Sequence, residues 1–297
     1  MLPLESVPNV SEGRDAATIG ALAAAFSSGG ARLLDVHSDV DHHRSVFTLV
    51  GGDDELVASL VAGVNAARER IDLRRHDGVH PRVGAADVVP VVPLVPEDME
   101  RARAAALSAA RRIGEELRLP VFLYAESADG RAPAFFRRGG PDELQRRVDA
   151  GELSPDFGPP QLDAAAGAVL VGARRPLVAF NVELETGEVE IARAIAAAVR
   201  ESGGGLAGVQ ALGLALACTG RAQVSMNLLD LEATSLHQVV ARVRAEAEAR
   251  GVEVAGGELV GLVPAGVVAA AAAPALALSA LPSDRVLELR LLGVDDP

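Results

Sequence analysis

The sequence predicts an α+β protein made of two ferredoxin-like subdomains, each a sheet with helices on one face, with a ligand cleft between them. Two observations carry this prediction. The order β-α-β-β-α-β can be read twice along the chain, and the two copies are separated by a Gly- and Pro-marked stretch of weak periodicity over residues 129–160. With 297 residues and 49% hydrophobic composition, the chain is long and apolar enough to fill two modest cores.

In the first copy the hydrophobic pattern predicts a strand over 4–10, a helix over 15–27, strands over 32–36 and 45–50, a helix over 53–70 and a strand over 87–92. A further helix over 96–117 and a strand over 121–125 follow. The second copy repeats the order, with a strand over 177–184, a helix over 188–202, strands over 209–217 and 223–228, a helix over 235–250 and a strand over 252–259. The boundary is expected near 172–176, giving subdomains of residues 1–174 and 175–297. Each unit needs a cover for its open face, and a cleft between two such units is a common place for a small ligand.

A formal charge of −13 and a pI near 4.9 exclude a protein that grips a nucleic-acid backbone, which requires clustered cations. No basic region followed by an apolar core opens the chain, and the longest apolar stretch, 266–281, is interrupted by Pro274 and is shorter than the roughly 20 residues of a bilayer span. A soluble, cytoplasmic protein without membrane partners is expected. The single cysteine, Cys218, edges the apolar run 209–217 and is expected to be buried as a small hydrophobe.

Chemistry concentrates in the run His76-Asp77-Gly78-Val79-His80-Pro81-Arg82-Val83-Gly84-Ala85, an irregular polar segment ahead of an apolar strand. Pro81 biases His80 to an extended backbone, while Gly78 and Gly84 permit tight bends on either side. Taken alone, His80 reads as either a satisfied loop histidine or a proton-transfer group. The run His37-Ser38-Asp39-Val40-Asp41-His42-His43-Arg44 has ligand types that suit zinc, but side chains so closely spaced on one turn cannot all converge on one ion, so no metal is assigned. Gly203-Gly204-Gly205-Leu206-Ala207-Gly208 fits G-x-G-x-x-G literally, yet it follows a helix and leads into a strand, the reverse of a dinucleotide-binding context; helix termination is the better reading.

The segment Arg75 to Ala85 resembles the signature of the formiminotransferase domain of glutamate formimidoyltransferases. The resemblance extends, in family order, through Ser6-Val7-Pro8-Asn9-Val10-Ser11-Glu12-Gly13-Arg14, Leu33-Leu34-Asp35-Val36, Asp41-His42-His43-Arg44-Ser45-Val46, Ser154-Pro155-Asp156-Phe157-Gly158-Pro159, Val171-Gly172-Ala173-Arg174, Ala179-Phe180-Asn181, Ala222-Gln223-Val224-Ser225-Met226-Asn227-Leu228 and Glu258-Leu259-Val260-Gly261-Leu262-Val263-Pro264. Family members commonly carry Asp-His-Asn-Arg where this chain has Asp41-His42-His43-Arg44.

The resemblance implies a two-subdomain transferase that moves the formimidoyl group from N-formimidoyl-L-glutamate to tetrahydrofolate, giving 5-formimidoyltetrahydrofolate and L-glutamate in histidine degradation. It implies His80 as the catalytic residue and Gly158, Pro159, Pro160, Gln161, Leu162, Asp163, Ala164, Ala165, Ala166 and Gly167 as the folate-binding segment. Asp39 and Asp41 would face a cationic intermediate, and Arg44, Arg82 and Arg174 would meet the donor's carboxylates. Tetrahydrofolate enters as co-substrate without a metal, a homodimer is compatible with the pattern, and cyclodeamination is expected of a separate protein. Two alternatives stand beside this reading: a metal-assisted hydrolase of the formimino group using the 37–43 cluster, and a non-catalytic folate-binding module.

Overall fold

Pro8 breaks the first predicted strand in two. Lacking an N–H, it cannot donate to a ladder, and only its carbonyl is used, accepting from the N–H of Phe47 at 3.0 Å. In the computed structural model, which describes residues 2–276 together with 278, 281 and 285, the two pieces are β1 (Leu4–Ser6) and β2 (Asn9–Val10). Both lie antiparallel between β4 (Arg44–Gly51) and β5 (Ala86–Pro93), and β3 (Arg32–Asp39) pairs the far side of β4. Counting β1 and β2 as one strand, the spatial order β3-β4-β1-β5 is that of a ferredoxin-like unit.

Helices α1 (Ala16–Ser27) and α2 (Asp53–Arg70) cover one face. Asp15 caps α1 by accepting from the N–H groups of Ala17 and Thr18. α2 has Asp53, Asp54 and Glu55 in its first turn and Arg68 and Arg70 in its last, each sign opposing the nearby end of the helix dipole. Leu22 and Phe26 of α1 and Leu56, Leu60 and Val64 of α2 are buried with Phe47, Leu49, Val89 and Val91 from the strands. Burying each such side chain contributes about 1.5–3 kcal/mol.

The first unit then continues beyond the ferredoxin-like order. α3 (Met99–Glu116), β6 (Val121–Leu123) and β7 (Val169–Ala173) add two parallel strands, extending the order to β5-β7-β6. Parallel strands need cover on both faces. Val121, Val169 and Val171 point into the helical core with α3, while the alternate residues Phe122 and Leu170 join Val88 in a second cluster. That cluster is closed by Phe136 of α4 (Pro133–Arg137) and Leu144 of α5 (Gly140–Asp149). The stretch that seemed aperiodic in sequence therefore contains two short helices, and in this unit helices cover the second face as well as the predicted one.

The second compact unit, Leu177–Pro297, follows the first, Met1–Pro176. Its strands β8 (Val178–Leu184), β9 (Val209–Ala215), β10 (Ala222–Leu228) and β11 (Val254–Val260) form an antiparallel sheet in the ferredoxin-like order β11-β8-β10-β9. α6 (Val189–Val199) and α7 (Leu236–Glu248) bury Ile195, Val199, Val239 and Val243 against Val182, Val224 and Met226, and α8 (Ala265–Ala272) follows β11. The end of the second predicted subdomain, beyond 276, lies almost wholly outside the described residues.

Cys218 departs from its expected burial. β9 ends at Ala215, the chain turns between the carbonyl of Leu216 and the N–H of Gly220, and Cys218 sits exposed in that turn. The apolar run overshot the strand because Ala217 and Cys218 continue its composition but lie beyond Ala215, the last residue paired with β10. In the glycine run, Gly203, Gly204 and Gly205 donate to carbonyls of Arg200 and Glu201 at the end of α6, so its work is chain reversal.

Candidate active site

One irregularity in the central sheet sets up the polar centre of the first unit. Between β2 and β5 the register slips, with Asn9 opposite Val88 but Val10 opposite Ala86, which leaves Asp87 as the extra residue of a β-bulge. The bulge turns the Asp87 carboxylate to the side from which Arg44, at the start of β4, and Arg137, at the end of α4, approach. Oδ2 accepts from Arg44 at 2.8 Å and from Arg137 at 2.6 Å, and Oδ1 accepts from the N–H of Val83 at 2.8 Å. Arg44 also donates Nε–H to Asn9 Oδ1 at 2.9 Å. Asp87 is fully buried. Burial by itself would raise its pKa, but the charges of Arg137 and Arg44 and its hydrogen bonds outweigh this and hold it below the ordinary range. Burial and the neighbouring Arg137 lower Arg44 to about 10, so it remains charged at neutral pH.

His80 stands in the loop just before the bulge, partly accessible but with protein packed closely around its ring. Its Nδ1 lies 2.8 Å from the carbonyl oxygen of Pro81. A carbonyl can only accept, so Nδ1 carries the proton and Nε2 presents a lone pair. Burial, then the charges of Arg44, Arg137 and His42, push the imidazole pKa well below its usual value, against a smaller opposing effect of the Pro81 carbonyl. Arg82 donates to the carbonyl oxygens of both Gly78 and His80, fixing the loop on either side of Val79.

The β3–β4 connection packs against this loop. Asp39 lies opposite Arg44 in the strand register and accepts from the N–H of His42 at 2.6 Å. The carbonyl of Asp41 accepts from the N–H of Val79 at 3.2 Å. The His42 and His80 rings stack with centroids 5.8 Å apart, and His43 stacks on His76 at 4.0 Å. His76 Nε2 donates to the carbonyl of His43 and its Nδ1 accepts from the N–H of Gly78, which fixes its tautomer. Burial and the nearby Arg82 charge lower the pKa of His76 to about 4. Gly78 is required by proximity: a Cβ there would lie 2.3 Å from the carbonyl oxygen of His42. Among the described residues no group of three His, Cys, Asp or Glu side chains is arranged to hold a metal ion.

Residues 158–167 run past the starts of the parallel strands. The carbonyl of Phe157 accepts from Val121 at the start of β6, Gln145 of α5 accepts from the N–H of Leu162, and Asp163 accepts from the N–H groups of Ala165 and Ala166. The Ala166 carbonyl accepts from the N–H of Ala85 at 2.8 Å, so the end of the segment lies beside the strand that leads from His80 to the bulge. Gly158, Pro160, Gln161 and Ala164 are exposed; Pro159, Asp163 and Ala165 are half-buried; Leu162, Ala166 and Gly167 are buried. Ala166 points into the helical core and Leu162 into the cluster with Phe136, so neither is a surface group.

Arg44, Arg82 and His80 are thus gathered around Asp87, with Asp39 and Asp41 on the adjoining connection. Arg174 stands apart, following β7 at the opposite end of the parallel strands, where its N–H bonds the Val91 carbonyl and its charge acts on Tyr124 and Glu5. Tyr124 is 2% exposed, its hydroxyl lies beside the Arg174 guanidinium without a hydrogen bond of good geometry, and burial raises its pKa to about 12. Asp87, Arg137 and Tyr124 were not singled out from sequence. Asp87 carries a signal there, a lone acidic residue opening an otherwise apolar strand; Arg137 carries none, since it sits in the weakly periodic stretch.

The formiminotransferase domain, N-terminal subdomain, matches residues 3–174, and the formiminotransferase domain matches 179–277. The chain is 41% identical over 266 residues to the glutamate formimidoyltransferase of Streptococcus pyogenes serotype M1, covering 88% of this chain and 89% of that one. It is 39% identical over 294 residues to the glutamate formimidoyltransferase of Thermoplasma acidophilum, covering 97% of each. The formimidoyltransferase-cyclodeaminase of Gallus gallus is 41% identical over 271 residues, spanning 88% of this chain and 50% of that protein.

Proposed function

The chain belongs to the formiminotransferase domain family, and from that premise we infer that it is a glutamate formimidoyltransferase, moving the formimidoyl group from N-formimidoyl-L-glutamate to tetrahydrofolate. The observation that carries the reading beyond membership is the setting of His80. It is a neutral imidazole with Nδ1 tied to a carbonyl, beside guanidinium groups that suit a dicarboxylate donor. We assign residues 1–174 to the N-terminal subdomain and 175–297 to the C-terminal one.

In this reading the N5 nitrogen of tetrahydrofolate attacks the amidine carbon and His80 Nε2 takes its proton. The tetrahedral intermediate then collapses, the bond from that carbon to the glutamate nitrogen breaks, and His80 returns the proton to the leaving amine. Because the intermediate is cationic, carboxylates serve it better than an oxyanion hole would; Asp39 and Asp41, both half-buried on the adjoining connection, take that role. Arg82 and Arg44 hold the loop and the bulge and set the positive field for the donor; Arg174, at the far end of the parallel strands, is left out of this set.

The folate is assigned to 158–167. The exposed Gly158, Pro160 and Ala164 offer an apolar edge to a ring system, and the exposed Gln161 offers an amide for its polar rim. No metal takes part in this scheme. His42 and His43 of the 37–43 run are set in ring stacks, on His80 and His76 respectively, and His76 has both nitrogens committed to the backbone. No helix of the described residues is long and apolar enough to cross a membrane, and we place the protein in the cytoplasm.

A spectrophotometric assay offering tetrahydrofolate with N-formimidoyl-L-glutamate and, separately, N-formyl-L-glutamate tests the reading. Transfer from the first donor is expected. Absence of transfer from either donor would overturn it, and release of the group to water without folate would favour a hydrolase.

A further inference from the structure

Charge around the bulge does not balance. Asp87 is the carboxylate at its centre, yet the charges of Arg44, Arg82 and Arg137 all act on one another across it. Arg44 and Arg137 both bond its Oδ2 and are largely buried, with side-chain exposures of 9% and 15%. The Asp77 carboxylate near Arg82 is mostly exposed and is bonded to Arg14. A further sign points to Arg137: its Nε is buried and has no hydrogen-bond partner. Burying unbalanced charge and an unpaired donor is unfavourable and calls for a counter-group, which an anionic ligand would supply.

We propose that Arg137, carried by α4 and aimed by the bulged Asp87, is a specificity-determining residue that with Arg44 binds a carboxylate of the formimidoyl donor. The proposal rests on the transferase reading above and deepens it. A carboxylate at this place could come from the donor or from the glutamate tail of the folate, and the geometry favours the donor. Arg44 and Arg137 are close enough to His80 to act on its imidazole. In N-formimidoyl-L-glutamate the α-carboxylate is two bonds from the nitrogen that must leave, whereas in the folate a benzoyl group separates N5 from the tail. A carboxylate bound next to the proton-transfer group therefore belongs to the donor.

The arrangement also explains why Asp87 is placed on a bulge. In regular register its side chain would alternate to the helical core; as the extra residue it can face both guanidiniums while accepting the Val83 N–H. Asp87 is thus a positioning residue, and the donors it leaves unused on Arg44 and Arg137 are those a carboxylate would take.

Steady-state kinetics on the full chain test the proposal with Arg137→Gln and Arg137→Lys. For Arg137→Gln the KM for N-formimidoyl-L-glutamate should rise about 10- to 100-fold, the range expected for a lost charged hydrogen bond, and the KM for tetrahydrofolate should stay within about twofold. Lysine should recover part of the loss, since it keeps the charge but not the planar fork. An unchanged donor KM, or a rise confined to tetrahydrofolate, would overturn the assignment. A wild-type-only arm compares the donor with its α-amide and its γ-amide. At least one amide should bind about tenfold more weakly, and equal KM values for all three would overturn the proposal whether or not the variants fold. Failure of the wild-type protein to transfer from the donor at all would strike the underlying reading, a result distinct from either of these.

Discussion

Arg82 donates a hydrogen bond to the main-chain carbonyl of His80, two residues before it, and the same guanidinium nitrogen reaches the carbonyl of Gly78. The clamp is made by the side chain on the backbone, so it sets where the imidazole stands without touching the ring. Arg82→Gln should therefore lower kcat about 10- to 100-fold through misplacement of His80, with little change in Tm. A kcat within about twofold of wild type would show that the loop holds itself.

His80→Ala should remove most turnover and leave the fold intact, because the ring belongs to the loop and not to the apolar clusters. General acid–base catalysis contributes at least about 100-fold, so kcat within threefold of wild type would take His80 out of the mechanism.

The pH profile follows from the depressed pKa of His80. Only the neutral ring can accept a proton, and its pKa is lowered by burial and by Arg44, Arg137 and His42, so the acid limb of kcat/KM should lie below the ordinary histidine value of 6.5. Bound donor carboxylates would offset the guanidinium charges, so the acid limb of kcat should lie above that of kcat/KM. Coincident limbs would argue against a carboxylate next to His80.

Stability should fall as the solution is acidified from pH 6.5 towards 4. His76 titrates at about 4 in the folded chain against 6.5 when unfolded, so between those values the unfolded state binds a proton that the folded state does not. His80 acts in the same direction. Denaturant titrations across this range should show a smaller slope for His76→Gln than for wild type.

Gly84→Ala should destabilise the first unit by about 1–3 kcal/mol, because a Cβ there would lie 1.9 Å from the carbonyl oxygen of Ala168, where the strand leading to the bulge meets the end of the 158–167 segment. Tyr124→Phe should cost less than about 1 kcal/mol, since its buried hydroxyl has the Arg174 guanidinium beside it but no hydrogen bond of good geometry to lose. Urea unfolding checks both. A loss above about 1 kcal/mol on removing the Tyr124 hydroxyl would mean that the group is bonded.

By itself the sequence determined the repeated β-α-β-β-α-β order and therefore both ferredoxin-like sheets, because strand and helix periodicity is local and each long element kept its pattern. It also determined the family, since the matched segments occur in order through both halves, and it singled out His80, which is framed by Gly78, Pro81 and Gly84. Tertiary structure alone decided the rest. Val169–Ala173 became a strand only by lying between β5 and β6, and the weakly periodic stretch became α4 and α5 because the parallel strands left Phe122 and Leu170 in need of cover. The same long-range demand brought Arg137 to Asp87 across fifty positions of chain. A one-residue slip against β2 turned that aspartate from the helical core to the polar centre. Neither event leaves a periodic trace, because register and charge pairing between distant elements are settled by packing and not by neighbours in the chain.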